Sequence, residues 1–461
     1  MSDDETELTR RQFLDSMLRV GLAAGATGFT GVACRDDSPT AKDTFDSAMG
    51  EMLDGASDLG EMTDISDTTD IEDIRDIQEI YGQLSKPPFM QIDDTGESAR
   101  LRFETFTQRP LEVRLESSGG MGTEKKAHTS TQQVDYRWPP GEDFPIQPDQ
   151  PDKPGEFTVQ EVGFDRLKAG EDYEWIIHLG EGKQVTGDFR APPPRGAAFE
   201  MAFLSDTMHP KSADVGKLLA EGNPDVLLHG GDIQYQTNPL DTYNALFSAL
   251  ADVFKLAPTH FCVGNHEQEE HDEFDLFYRR LFAARRNSKP VKYHGFTYGG
   301  VRFLVLDSED DFQKGSKQYQ WLEKELSSAQ SDSEIRYPVV AYHRPFFTFS
   351  ESSPSFSTRD VFHPLFQKYG VRLVLNGHNH CYERFEADGI TYVVDGGGGA
   401  SLYFIDASKS EVLAERPEDE NRHKASERSH GALFGRVNSD GSIDFVRKSI
   451  DGKKSDEFSV G

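Results

Sequence analysis

Two histidines in the last quarter of the chain have a spacing that suits metal coordination. His378 and His380 lie in the segment Leu375–Arg384, which reads L-N-G-H-N-H-C-Y-E-R. In an extended loop the side chains of residues i and i+2 point the same way, so both imidazoles can face one cavity. Imidazole nitrogen is a common ligand of iron and zinc ions. The pair alone is weak evidence for a metal site, because a bound ion needs further ligands.

Further residues of ligand type precede this pair. They are Asp206, Asp232, Tyr235, Asn265 and His343. Carboxylate, phenolate, amide and imidazole groups together suit borderline and hard ions such as iron, zinc and manganese. Two ions in one site need a bridging carboxylate, for which Asp232 is the natural candidate. Two ions about 3.5–4 Å apart can clamp a phosphoryl group and activate a bound water near neutral pH.

Short apolar runs, each typical of a buried strand, precede most of these residues. The runs are Phe199–Leu204, Val226–Leu228, Thr259–Val263, Val301–Leu306, Pro338–Ala341 and Val371–Leu375. The fourth run ends in the polar segment Asp307-Ser308-Glu309, and a helical pattern covers Asp214–Glu221. Open α/β sheets hold their ligands at the carboxyl ends of their strands. The pattern predicts an α/β catalytic domain over residues 195–461.

Residues 87–194 have a different pattern of short alternating strands separated by turn residues. The predicted strands are Ala99–Phe106, Leu111–Glu116, Phe157–Phe164, Glu174–Leu179 and Val185–Phe189. Leu167–Tyr173 has the leucine, glycine and tyrosine spacing of a tyrosine corner, which occurs in immunoglobulin-like and fibronectin type III domains. We therefore predict a fibronectin type III-like β-sandwich, joined to the catalytic domain through the proline-rich Ala191–Pro194.

Residues 1–34 read as an export signal. Arg10-Arg11 precede Phe13-Leu14 and a glycine- and alanine-rich apolar run that is too short for a stable spanning helix. This order resembles a twin-arginine signal, which implies the periplasm or cell surface. The run ends at Cys34 in a sequence similar to a lipoprotein cleavage box, with Gly31 where leucine is usual. A lipid tether on Cys34 is a further hypothesis.

Residues 35–86 form an acidic spacer. Residues 35–80 contain 15 aspartates and glutamates against three lysines and arginines, which is typical of a solvated, poorly ordered tether. Calcium binding is the alternative, but the glycine turns of calcium loops are missing. The whole chain has 80 acidic and 49 basic residues and a net charge of −31, which argues against nucleic acids and anionic membrane surfaces as partners.

The order of the ligand motifs resembles the calcineurin-like metallophosphoesterase superfamily, and more specifically the purple acid phosphatases. The matching segments are Asp206, Gly231–Tyr235, Gly264–Glu267, Val340–His343 and Gly377–His380. The resemblance implies an αββα sandwich with an Fe(III)-type site made by Asp206, Asp232, Tyr235 and His380. It implies a second site, for Fe, Zn or Mn, made by Asp232, Asn265, His343 and His378.

One position departs from the family pattern. Most of the superfamily has a histidine where this chain has Met208, and purple acid phosphatases usually have a glycine there. His209 follows directly and could supplement or interfere with the metal ligands, so the identity of the two metal ions stays open. By the same resemblance, His266 and the neighbourhood of His343 would contact the phosphate or protonate the leaving oxygen. Arg344 is added on chemical grounds, because a guanidinium suits a phosphate; an ordinary surface arginine is the alternative.

These observations predict an exported phosphatase with two metal ions that hydrolyses phosphomonoesters by attack of a metal-bound hydroxide. Its substrate would be a phosphorylated small molecule or a nucleotide. A phosphodiesterase or nucleotide hydrolase on the same fold is the first alternative. A surface binding protein with weak catalysis is the second, and the intact ligand set argues against it.

Overall fold

The computed structural model describes most of the chain from residue 84 onwards. The described residues are 84–105, 109–117, 128–135, 156–208, 210–233, 239–267, 278, 281–286, 289–352, 354–406 and 410–461. The predicted signal with Cys34 and most of the acidic spacer lie outside them, as do Tyr235 and His209. Within the described part, no helix is both long enough and apolar enough to cross a membrane.

Two antiparallel sheets make up the N-terminal part of the described chain. Their strands are β1 (Leu84–Ile92), β2 (Ala99–Thr105), β3 (Glu112–Ser117), β4 (His128–Asp135), β5 (Glu156–Phe164), β6 (Asp172–Gly180) and β7 (Lys183–Arg190). One sheet has the order β1-β2-β5-β4 and the other β3-β6-β7. Buried side chains of both sheets, among them Phe103 and Trp175, belong to one hydrophobic core. The five strands predicted here are confirmed.

The alternating pattern did not predict β1. This strand begins at Leu84, inside the segment predicted as spacer, and it contains Pro87 and Pro88. Proline cannot donate to a neighbouring strand and is therefore confined to sheet edges and irregular positions, and β1 is an edge strand with shifted register.

The predicted tyrosine corner has its expected hydrogen bond. The backbone N–H of Lys168 donates to the hydroxyl of Tyr173 at 3.1 Å.

Two larger sheets form the C-terminal part. The six-stranded sheet, in the order β10-β9-β8-β20-β21-β22, contains β8 (Phe199–Leu204), β9 (Val226–His229), β10 (Thr259–Phe261), β20 (Gly431–Val437), β21 (Ile443–Ser449) and β22 (Lys454–Val460). The seven-stranded sheet, in the order β13-β14-β15-β16-β18-β17-β19, contains β13 (His294–Tyr298), β14 (Val301–Val305), β15 (Tyr337–Ala341), β16 (Leu373–Asn376), β17 (Tyr382–Ala387), β18 (Ile390–Asp395) and β19 (His423–Glu427). A short hairpin joins β11 (Arg285–Arg286) to β12 (Lys289–Pro290).

Helices cover the outer face of each sheet. Their bounds are α1 (Lys211–Gly222), α2 (Pro239–Leu256), α3 (Lys317–Ser331), α4 (Phe356–Lys368), α5 (Ser410–Glu415) and α6 (Asp419–Arg422). Side chains of α1 and α2 pack on the six-stranded sheet, and those of α3 and α4 pack on the seven-stranded sheet. Between the sheets lies a shared core that includes Phe203 and Val339. The layers are therefore helix, sheet, sheet and helix, as predicted.

The carboxyl ends of the parallel strands meet at one end of this sandwich. Strands β8, β9 and β10 run parallel in one sheet, and β14, β15, β16 and β18 run parallel in the other. Parallel strands covered on both faces are almost wholly apolar, which explains why the predicted runs were easy to recognise. At this end a parallel bridge between Val263 and Asp307 joins the two sheets directly. The loops after these strands therefore share one space.

Candidate metal centre

The predicted ligands lie in loops that directly follow these strands. Asp206 follows β8, Asp232 follows β9, and Asn265 follows β10. His343 follows β15, and both His378 and His380 follow β16. Among the described residues, each sheet therefore supplies three predicted ligand positions, and the face-to-face packing of the sheets brings them together.

The backbone of this region is unusual at three predicted ligands. Asp206, Asp232 and His378 have φ angles of 62°, 51° and 71°, a left-handed conformation that costs energy for residues other than glycine. Hydrogen bonds between the loops hold it: the N–H of Asp206 donates to the carbonyl of Gly231 at 3.1 Å, and the N–H of His378 donates to Asp206 Oδ2 at 2.9 Å. The loops thus fix one another's conformation.

One group of ligand atoms surrounds Asp232. Asp232, His343 and His378 each offer one atom within 4.8 Å of the others. His343 Nε2 lies 3.2 Å from Asp232 Oδ2 and 3.1 Å from Asn265 Oδ1. His343 Nδ1 lies 2.9 Å from the carbonyl of Gly230, to which it donates, so Nε2 is the nitrogen that faces the ligand group.

The two imidazoles of this group have opposite pKa shifts. Burial lowers the pKa of His343, but the charge and hydrogen bond of Asp232 outweigh burial and raise it to about 10. Burial, His343 and Arg344 together lower the pKa of His378 to about 3. The buried carboxylate therefore attracts positive charge, while His378 stays neutral and keeps a nitrogen lone pair.

A second group surrounds Asp206. His380 Nε2 lies 3.5 Å from Asp206 Oδ1, and His380 Nδ1 donates to the carbonyl of Ser401 at 2.7 Å. The ring of Tyr403 stacks on His380 with 4.0 Å between centroids. Burial would raise the pKa of Asp206, but the hydrogen bond from His380 and the charge of His343 hold it below its usual range. This carboxylate is therefore ionised.

The chemistry of the donor set fits the implied metal ions. Asp206 and Asp232 are almost fully buried carboxylates that face imidazoles, with the amide of Asn265 beside them. Carboxylate, amide and imidazole donors in this mixture suit iron, zinc and manganese. Tyr235 and His209, which bear on the identity of the metals, lie outside the described residues. The ligand assignment itself stays a prediction.

Comparison with known proteins agrees with this geometry. Residues 199–382 match the sequence profile of the family described as Calcineurin-like phosphoesterase. The chain is 28% identical over 276 residues to "Probable inactive purple acid phosphatase 9" of Arabidopsis thaliana, which covers 50% of this chain and 41% of that protein. It is 27% identical over 220 residues to "Purple acid phosphatase 15" of the same plant, covering 39% and 41%. Over residues 199–382 this chain is therefore similar to the calcineurin-like phosphoesterases, and curated relatives that it matches are named as purple acid phosphatases.

The chain also resembles solved structures in fold. The structure of purple acid phosphatase PPD1 from yellow lupin (Lupinus luteus) seeds matches with a TM-score of 0.65 at 17% identity, over 82% of this chain and 74% of that chain. The structure of PhoD matches with a TM-score of 0.51 at 15% identity, over 81% and 92%. At these identities the likeness concerns the fold alone. The chain spans about two fifths of the length of the curated relatives it matches.

The predicted catalytic residues lie at different depths in the candidate metal centre. His266 Nε2 lies 3.9 Å from Asp232 Oδ2, and 36% of its side chain is exposed. The side chain of Arg344 is 39% exposed, and its Nη1 lies 3.1 Å from His378 Nε2. His343 is fully buried. His266 and Arg344 therefore lie on the open side of the site, whereas His343 lies behind it.

Sequence reasoning assigned no role to two acidic residues that contact the site. Glu267 is fully buried and accepts hydrogen bonds from the backbone N–H groups of Asp232 and Gly264. Glu309 accepts from Arg344 Nε. A signal existed for both: Glu267 ends the predicted G-N-H-E motif, and Glu309 follows β14 in the way that the ligand residues follow their own strands.

Proposed function

We propose that this protein hydrolyses phosphoric monoesters with the help of two metal ions. The observation that carries the proposal is the convergence of Asp206, Asp232 and Asn265 from one sheet with the histidines of the other sheet. Asp232 has a histidine from the opposite sheet within 3.2 Å, which suits a carboxylate shared by two ions. The family profile over residues 199–382 supports the same reaction class.

In this proposal Asp206, Asp232, Tyr235 and His380 hold an iron ion. Asp232 also belongs to the second set, completed by Asn265, His343 and His378, which holds iron, zinc or manganese. When bound, such ions neutralise charge on the phosphoryl oxygens and lower the pKa of a coordinated water. Replacement of Tyr235 by phenylalanine should abolish any visible absorption band of an iron phenolate. A band that persisted unchanged in that variant would refute the assignment of Tyr235.

The protein's own side chains would orient the phosphate and move a proton. Arg344 offers terminal guanidinium nitrogens beside His378 and binds phosphoryl oxygens, for which a planar fork of N–H donors is suited. His266 lies on the exposed side of Asp232, and its Nε2 can carry the proton that the leaving alkoxide needs. Asn265 accepts no proton; its amide fixes the position of His343.

A substrate panel tests the proposal. The full chain, loaded with iron and zinc or iron and manganese and checked by metal analysis, would be assayed with p-nitrophenyl phosphate, its bis-ester and nucleotides. Preference for the monoester supports the proposal, and preference for the bis-ester or nucleotides favours a phosphodiesterase or nucleotide hydrolase. Some curated relatives carry the word inactive in their names. A metal-loaded protein without activity on any of these esters would favour a binding role.

Export and the type of the N-terminal domain are also proposals. The twin-arginine pattern at Arg10-Arg11 supports the periplasm or cell surface, and Cys34 would carry a lipid. Mass spectrometry of the mature N-terminus decides this, since an unmodified Cys34 in the mature protein would exclude the tether. The hydrogen bond between Lys168 and Tyr173 supports a fibronectin type III-like sandwich.

A further inference from the structure

Arg344 is held at the open side of the site by one carboxylate. Its Nε donates to both oxygens of Glu309, at 2.9 Å and 3.0 Å. Only 10% of the Glu309 side chain is exposed, against 39% for Arg344. The ion pair therefore has a largely shielded acidic partner and a guanidinium that extends into the open part of the site.

Glu309 is itself fixed by its neighbours. Its backbone N–H donates to Asp307 Oδ1 at 2.9 Å, and the hydroxyl of Ser308 donates to Glu309 Oε1 at 3.0 Å. The same hydroxyl accepts from the backbone N–H of Arg344 at 3.1 Å. Because Asp307 belongs to the bridge that joins the two sheets, the backbone of Glu309 is held at that end of the sandwich, and the hydroxyl of Ser308 holds its carboxylate.

This anchoring leaves the terminal nitrogens of Arg344 facing the metal centre. Nη1 lies 3.1 Å from His378 Nε2, and Nη2 makes no hydrogen bond with any residue in the described part of the chain. A neutral imidazole has one nitrogen with a free lone pair and one nitrogen that carries a proton. Once the lone pair binds a metal ion, neither nitrogen can accept a hydrogen bond. Arg344 therefore cannot keep its hydrogen bond to His378 once that histidine ligates an ion, whereas the bond to Glu309 is unaffected.

We propose that Glu309 is a positioning residue, which holds Arg344 so that Nη1 and Nη2 bind the oxygens of a phosphoryl group beside His378. The inference rests on the proposed function, because it names the residue that orients its phosphate contact. A long arginine side chain loses much conformational freedom when it binds an anion. The fixed carboxylate removes part of that freedom before the substrate arrives, which strengthens binding in the way that preorganisation does.

A double-mutant cycle tests the role of Glu309. Glu309→Gln, Arg344→Ala and the double variant would be compared with the metal-loaded wild type for the dissociation constant of inorganic phosphate and for kcat/KM. We expect Arg344→Ala to weaken phosphate binding about tenfold or more and Glu309→Gln to weaken it by a smaller factor. The double variant should match Arg344→Ala, since Glu309 acts through Arg344.

The controls separate positioning from a structural role. Glu200→Gln removes the acidic partner of Arg436 in an exposed Arg–Glu pair on the six-stranded sheet and should leave phosphate binding unchanged. Metal content and melting temperature are measured for every variant. Wild-type phosphate affinity in Glu309→Gln, or a further loss in the double variant beyond Arg344→Ala, overturns the proposal. If the wild type binds phosphate through Arg344 and Glu309 but hydrolyses no ester, the proposed function fails while this inference stands.

Discussion

Glu267 shows how a single side chain organises the metal centre without facing it. Its carboxylate accepts the N–H groups of Asp232 at 2.9 Å, Ile233 at 2.7 Å and Gly264 at 2.7 Å. Burial and the charge of Asp232 raise its pKa to about 8, against the effect of the backbone donors. These bonds connect the loop after β9 to the loop after β10, and so they set the distance between Asp232 and Asn265.

Glu267→Gln should destabilise both the metal-free fold and the metal site. A glutamine has one acceptor oxygen in place of two, so at least one buried N–H would lose its partner, at a cost of about 1–3 kcal/mol. The free energy of unfolding of the metal-free protein, from urea denaturation, and the metal content after loading measure the two effects. Unchanged stability together with full metal content would show that the three bonds do not hold the loops.

The contrast between Glu267 and the ligands explains what the sequence can reveal at this scale. Asp206 and His378 were recognisable because each has a ligand type at the end of an apolar run. Glu267 and Glu309 stand in similar positions, but their roles depend on which backbone and guanidinium groups the fold brings to them. Those partners come from separate strand-end loops, and their distances follow from sheet packing that no local pattern encodes.

At the scale of elements, the turns that leave each strand decide the geometry of the ligands. Gly377 connects β16 to His378, and its N–H donates to the carbonyl of His343 at 3.0 Å. A Cβ atom at Gly377 would lie 1.9 Å from Ser205 Oγ and 2.6 Å from Asp206 Oδ2. Only glycine allows the loops after β8 and β16 to approach this closely.

Gly377→Ala should therefore push the loop of Asp206 away from the loop of His378. Overpacking of this kind costs about 1–3 kcal/mol, and we expect the variant to retain its fold but to bind metal less tightly. Gly163→Ala in β5 is the matched control, because its Cβ would have nothing closer than Arg100 Nη1 at 4.0 Å. Circular dichroism and metal titration check the result, and equal metal affinity in the two variants would contradict it.

The elements themselves were predictable to different degrees. The parallel strands were found because they are continuous apolar runs, and β8 has the predicted bounds. The antiparallel strands β20, β21 and β22 were not predicted, although they extend the six-stranded sheet on the side of β8. Their burial alternates between inner and outer faces, and an alternating strand at the end of a chain does not by itself indicate which strand it joins.

At the scale of the whole molecule, the N-terminal sheets and the C-terminal domain (residues 195–461) share apolar and polar contacts. Phe89 of β1 is almost fully buried among aromatic rings of the C-terminal domain, with its ring 5.6 Å from that of Phe261 and 6.0 Å from that of Phe282. Arg102 of β2 is fully buried and donates from Nη1 to the carbonyl of Ala283 at 2.7 Å. The N-terminal domain thus contacts and supports the segment around Phe282 and Ala283.

Phe89→Ala should destabilise the C-terminal domain as well as β1. Removal of a buried phenylalanine costs about 3–5 kcal/mol, since the surrounding rings cannot close the cavity. Phe404→Ala is the control, because that ring is 66% exposed. Its contact with the Arg428 guanidinium, 4.3 Å from the ring centre, is worth about 0.5–1 kcal/mol, well below the loss expected for Phe89. Urea denaturation measures both variants, followed by circular dichroism and by tryptophan fluorescence in versions of the protein that keep only Trp175 or only Trp321 of the three tryptophans. Because Trp175 reports on β6 and Trp321 on α3, a loss of stability seen through both would show that the two domains depend on each other. A loss confined to Trp175 would show that the C-terminal domain is stable without the contacts of Phe89.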